Sequence, residues 1–180
     1  SSYIEMINYA IDLVEENEYN AIVLGHQGKN FSAGANLNLF LELSKDKQWD
    51  LLDYAVKTFQ ETTQRIRFCS APVVAAPFQL TLGGGTELIQ PAAHRVASAE
   101  TYIGFVEVGV GLIPGGGGTL RMILNAMEES NGRIGAFQQI QKAFETIGFA
   151  KVATSADEAK SLGLLKKNDT IVLNKDYLIQ

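Results

Sequence analysis

Two glutamates stand twenty positions apart, each inside its own glycine-rich segment: Glu87 in L-G-G-G-T-E-L and Glu107 in V-E-V-G-V-G-L-I-P-G-G-G-G. Carboxylates beside exposed backbone amides are suited to proton transfer. Glycine lacks a Cβ, so a run of three or four lets the main chain approach a ligand and turn its N–H groups outward. A third small-residue segment, F-S-A-G-A-N-L from Phe31 to Leu37, precedes both.

Ala35 and Gly84 are the natural candidates for an oxyanion hole, in which two amides from different loops converge on an oxygen that gains negative charge during reaction. Each follows an expected strand. Gly84 also opens an expected helix, where unpaired N–H groups and the helix dipole favour an anion. Such a pair could stabilise an enolate made from a thioester. Glu87 and Glu107 would supply the remaining chemistry, one group to activate water and one to deliver a proton. Two carboxyls in one apolar cleft raise each other's proton affinity, so one can be protonated and the other ionised near neutral pH. The plainer reading of the same residues is two tight turns and two solvated helix faces.

Phosphate loops fit these glycines poorly. Gly109-x-Gly111 is followed by Pro114 where a dinucleotide fingerprint needs its third glycine, and no G-x-x-x-x-G-K-[S/T] occurs. His26 and His94 are the only histidines, without a cysteine or acidic neighbour at zinc-site spacing, so no metal is expected. His26 reads as a solvated loop residue and Trp49 as helix packing.

The elements that must position these groups alternate in an α/β order. An amphipathic helix carries Ile4, Ile7, Ile11 and Val14, and a strand covers 21–25. A glycine-punctuated loop spans 26–36, and a short helix carries Leu37, Phe40 and Leu43. A longer helix spans about 49–68, through Trp49, Leu52, Val56, Phe59 and Ile66. Val73 to Ala76 suits a buried strand ended by Pro77. A short helix then holds Glu87 in its first turn, with strands expected at 95–97 and 101–103. Helices follow at 119–129 and 134–149, another is capped by Ser155, and the end, 170–179, reads as a hairpin turned at Asn174-Lys175-Asp176.

At 180 residues with 46% apolar and 19% charged content, the chain fits one domain over 1–180, with a core to about 130 and C-terminal helices and hairpin beyond. A net charge of −5 and scattered basic residues argue against a surface tracking nucleic-acid phosphates. The single cysteine, Cys69, excludes an internal disulfide framework. No apolar run is long enough to span a bilayer and no signal-like stretch opens the chain, so a cytoplasmic location away from membranes is expected.

Taken together and in order, F-S-A-G-A-N-L, L-G-G-G-T-E-L and E-V-G-V-G-L-I-P-G-G-G-G resemble the crotonase (enoyl-CoA hydratase) superfamily: its first oxyanion segment, its second with the first catalytic glutamate, and the loop bearing the second glutamate. The resemblance covers roughly residues 2–165 and implies a crotonase-like (ClpP/crotonase) spiral of ββα units, usually assembled as a trimer. Three stretches, A-A-P-F-Q-L-T-L-G-G-G-T-E, Y-I-G-F-V-E-V-G-V-G-L-I-P-G-G-G-G and K-A-F-E-T-I-G-F-A-K-V-A-T-S-A-D-E-A, resemble the C-terminal hydratase part of long bacterial bifunctional 3-hydroxyacyl-CoA dehydrogenases of fatty-acid β-oxidation.

That likeness implies a fragment truncated at both ends, lacking the family's leading hairpin and closing helices, with an NAD-binding dehydrogenase part elsewhere in the longer protein. It places the thioester oxygen on the amides of Ala35 and Gly84. Glu87 would activate a water for attack at C3, and Glu107 would protonate C2 to give a 3-hydroxyacyl-CoA. Backbone of Ser32, Ala33 and Ala35 would contact the coenzyme A part of the substrate; no other cofactor is implied for this segment. Asn36 stands where many members carry Asp, and Val106 where many carry Pro. An isomerase, an acyl-CoA thioester hydrolase and a non-catalytic scaffold remain the competing readings.

Overall fold

In the computed structural model, residues 2–17, 19–130 and 136–179 are described. Helix α1 (Ser2–Glu16) buries Ile7, Ile11 and Val14 on one stripe, as the 3.6-residue period requires. Its outer edge is tied to α3 (Trp49–Phe68) by Arg65, which reaches Asn8, Asp12 and Glu15. Between them lie strand β1 (Ile22–Leu24), the 25–36 loop, and α2 (Leu37–Lys45). Asn36 caps α2, its side-chain oxygen accepting from the amides of Asn38 and Leu39. An asparagine therefore serves the cap as an aspartate would.

Two sheets carry the rest. In the first, β1, β2 (Val73–Ala75), β4 (His94–Ser98) and β7 (Thr170–Val172) lie in that order, all parallel. The second runs β3 (Gln79–Leu82), β5 (Thr101–Gly104) and β6 (Val152–Ala153), with the last pair antiparallel. From β2 to β5, consecutive strands alternate between the sheets. Thus β2, β3 and α4 (Gly84–Ile89) form one ββα unit, and β4 and β5 begin the next, completed by α5 (Gly118–Ser130). This is the expected α/β spiral.

Ala75, Phe78, Ile89, Ala97, Ile103, Phe105 and Ala153 are fully enclosed where the sheets and helices meet. Alanine fills three of the enclosed strand positions, 75, 97 and 153, where layers pack at close range. A buried ion pair spans the core's edge. Arg95 donates from Nε to Asp169 Oδ2 at 2.8 Å and from Nη1 to the carbonyls of Gln90 and Ala92, and Asp169 also accepts from the amides of Arg95 and Lys166. Every partner is satisfied, which a buried charge requires.

Several local expectations change. The segment after Pro77 forms β3, because its pairing with β5 satisfies a backbone that the short run by itself would leave open. The end of the chain is not a hairpin: β7 adds in parallel to β4, and Lys175–Tyr177 is a single 3₁₀ turn. The helix expected at 134–149 runs Ala136–Gly148 (α6), and Ile134 lies outside the described residues. Ser155 does cap its helix, α7 (Ala156–Ser161), accepting from the amide of Glu158 at 3.1 Å. Trp49 is 58% exposed and packs little, and no residue of α2 is buried.

A cavity of about 640 Å³ lies between α1 and β1, lined by Ile7, Ile11, Leu24 and Phe31 among others. It contains neither glutamate. Among the described residues no helix is long and apolar enough to cross a membrane.

Candidate active site

Three chain segments meet beside β3. Phe31 and Ser32 run alongside it, with their amides donating to the carbonyls of Phe78 and Leu80, while Leu82 donates to Ser32. His26 anchors this loop. Its ring stacks on Phe31 and meets Phe78 edge-on, Nδ1 accepts from the amide of Gly28, and Nε2 lies 2.9 Å from the carbonyl of Phe31. It is a packing residue held at both ring nitrogens, not a solvated loop histidine.

The result brings Gly34, the residue before Ala35, beside Gly83 and Gly84. A Cβ placed on Gly34 would lie 3.2 Å from the carbonyl oxygen of Leu82 and 3.9 Å from the amide nitrogen of Gly84. Gly84 is the first residue of α4, so its N–H has no partner within the helix. Among the described residues, no protein acceptor takes the N–H of either Ala35 or Gly84. Ser32 is half-buried beside them; Ala33 and Ala35 are exposed.

Gly83 sets the entry to α4 with φ of 53° and ψ of −123°, a backbone region that a residue with a Cβ enters only under strain. A side chain there would also strike Glu107, whose Oε1 lies 3.1 Å from a Cβ built on Gly83. Glu107 opens the 3₁₀ turn Glu107–Val110, and its Oε2 is buried without a hydrogen-bond partner.

Glu87 is 4% exposed in the first turn of α4. Its Oε1 accepts from the amides of Gly116 at 2.8 Å and Gly118 at 2.9 Å. Gly118 begins α5, so the positive end of that helix faces the carboxylate. The glycines have exchanged partners relative to the sequence. Those following Glu107 serve Glu87, and Gly83, which precedes Glu87, makes room for Glu107.

Burial pushes the Glu87 carboxyl up to about 7, the Gly118 amide opposes it, the charge of Glu107 raises it further, and the Gly116 amide lowers it. Burial also raises Glu107. Both carboxyls of the cleft thus hold a proton more tightly than a free glutamate does, as a transferable proton requires.

Phe59 of α3 closes one side. A Cβ on Gly116 would sit 2.2 Å from its ring, and one on Gly84 3.3 Å. Neither Gly116, Gly118 nor Phe59 was assigned a role from sequence. Four glycines immediately before a helix are an anion-site signal, but nothing in the linear order shows which anion they face. Among the described residues no group of three or more His, Cys, Asp or Glu side chains could hold a metal ion. Cys69 is a free thiol packed against the core.

Residues 2–167 match the enoyl-CoA hydratase/isomerase family. A probable 3-hydroxyacyl-CoA dehydrogenase of Bacillus subtilis is 45% identical over 98% of this chain, which covers 22% of that protein. A probable enoyl-CoA hydratase of the same organism is 29% identical over 97% of the chain and 63% of its own length. The crystal structure of an enoyl-CoA hydratase from Bacillus anthracis superposes with a TM-score of 0.76 and 26% identity, over 94% of this chain and 59% of that one. The chain belongs to the enoyl-CoA hydratase/isomerase family and has its crotonase fold. It spans about a fifth of the length of that dehydrogenase and of a putative fatty acid oxidation complex trifunctional enzyme of Rickettsia prowazekii, to which it is 32% identical over 91% of the chain.

Proposed function

We propose that this chain is the hydratase part of a longer β-oxidation protein, adding water across the double bond of a 2-enoyl-CoA to give a 3-hydroxyacyl-CoA. One observation carries the reading: a buried carboxylate held by two amides, beside a second raised carboxyl and near two amides that no acceptor among the described residues uses.

The thioester oxygen accepts from the amides of Ala35 and Gly84. Ionised Glu87 removes a proton from water, and the hydroxide oxygen bonds to C3 while the C2–C3 double bond becomes an enolate. The negative charge is borne by the oxygen that the two amides hold. Glu107 then gives its proton to C2, the thioester carbonyl re-forms, and one water has been added. Ser32, Ala33 and Ala35 offer backbone to the coenzyme A moiety. The amides of Gly116 and Gly118 fix the negative charge on Glu87, which favours the base role there. Burial raises Glu107 against the backbone amides of Glu107 and Val106, and its buried Oε2 has no donor, which favours the acid role.

No other cofactor enters this reaction. NAD would belong to a dehydrogenase part outside these residues, and the assembly would be a trimer in the cytoplasm. Retention of both glutamates favours hydration over double-bond isomerisation, which needs one proton-transfer group.

With the full-length protein and crotonyl-CoA, Glu87→Gln and Glu107→Gln should each lower kcat by about 10²- to 10⁴-fold, with little change in thioester affinity by calorimetry. Wild-type-like turnover in both variants would remove the assigned roles. Product analysis with 2-enoyl-CoA and 3-enoyl-CoA separates hydration from isomerisation and thioester hydrolysis.

A further inference from the structure

The loop that holds Glu87 is itself held by α3. Three successive carbonyls of the glycine run are tied down: Gly115 accepts from Gln60 Nε2 at 2.7 Å, Gly116 from Thr63 Oγ1 at 2.7 Å, and Gly117 from the amide of Arg121 at 3.0 Å. The Gly115 carbonyl belongs to the same peptide group as the Gly116 N–H that donates to Glu87. The Gly117 carbonyl likewise shares its peptide with the Gly118 N–H. Each donor to the carboxylate is therefore the far end of a hydrogen-bonded chain, and such chains polarise one another.

We propose that Gln60 and Thr63 are positioning residues for the reaction, holding the 115–118 loop so that its two amides converge on the Glu87 carboxylate. This rests on the reading of Glu87 as the base. Neither side chain touches the reacting atoms. Gln60 is exposed and Thr63 buried, and both lie on the stripe of α3 that carries Phe59. Glu107 is the charged group acting on Glu87 among the described residues, while Asp53, Lys57 and Glu61 of α3 face solvent. The loop's order, not a neighbouring charge, is thus the handle by which α3 acts.

The test uses Gln60→Met and Thr63→Val, which keep approximate shape and delete the donor, with Thr63→Ser as the variant that restores it. Two readouts on the full-length protein are needed: the pH dependence of kcat/KM for crotonyl-CoA, and the protonation midpoint of Glu87 from infrared titration, its band assigned by loss in Glu87→Gln. Lost polarisation of the Gly116 N–H in Gln60→Met, and looser placement of the two amides in Thr63→Val, should each move that midpoint, and the acidic limb of the profile, upward by roughly 0.2 to 0.7 pH unit. Thr63→Ser should return to the wild-type midpoint. An unmoved midpoint in both donor-deleted variants, even with a lowered melting temperature, would overturn the proposal, as would Thr63→Ser behaving like Thr63→Val. A shifted infrared midpoint in a protein that does not hydrate crotonyl-CoA would uphold the positioning role and reject the hydratase reading.

Discussion

Glu87 carries opposing forces on one side chain. Burial disfavours its charge, while two amides and a helix N-terminus favour it. Burial wins, so the folded protein binds this proton more tightly than the unfolded chain does. The associated stability is fully present below the unfolded value of 4.5 and is lost as pH rises through about 7. Glu87→Gln, which stays neutral throughout, should therefore stabilise the fold more at pH 8 than at pH 5. The difference should be about 2 to 3 kcal/mol, measured by denaturant titration at both pH values. Equal effects at the two pH values would show that the carboxyl is not raised. Under the proposed base role of Glu87, the same shift predicts that kcat/KM falls below pH of about 7 as its carboxylate becomes protonated.

At the scale of elements, the glycine run before α5 is a joint between α3, α4 and α5. A methyl group at position 116 would overlap the Phe59 ring at 2.2 Å and approach Glu87 Oε2 at 2.8 Å. Gly116→Ala should destabilise the protein by about 1 to 3 kcal/mol, as overpacking does. Adding Phe59→Leu should recover part of that loss in melting temperature, since one of the two obstacles is removed. It should not restore activity, because the methyl still faces the carboxylate. The elements were unevenly legible in sequence. Helix α3 was visible end to end because twenty residues repeat their apolar stripe. Strands β3 and β6 were not, since two to four residues hold no readable period and depend on β5 for their hydrogen bonds.

For the whole molecule, the Arg95–Asp169 pair fastens β4 to the turn that delivers β7, more than seventy residues later. Both side chains are 1% exposed. Asp169→Ala leaves a buried guanidinium without its counter-charge and should cost about 3 to 5 kcal/mol, read from the denaturant midpoint.

The sequence by itself determined which residues could do chemistry, because carboxylates set among glycines are costly to keep in segments that serve only as turns. It also determined the order of α and β elements, and through three motifs it identified the family. Tertiary structure decided which glycines serve which acid. Glu87 is completed by amides twenty-nine and thirty-one residues ahead, and Glu107 finds its space over Gly83. It likewise decided that a parallel strand, not a hairpin, ends the chain. These outcomes depend on pairings between distant segments. A linear pattern records what a residue can offer, whereas its partner is fixed only when the sheets, α3 and the N-terminus of α5 close on one another.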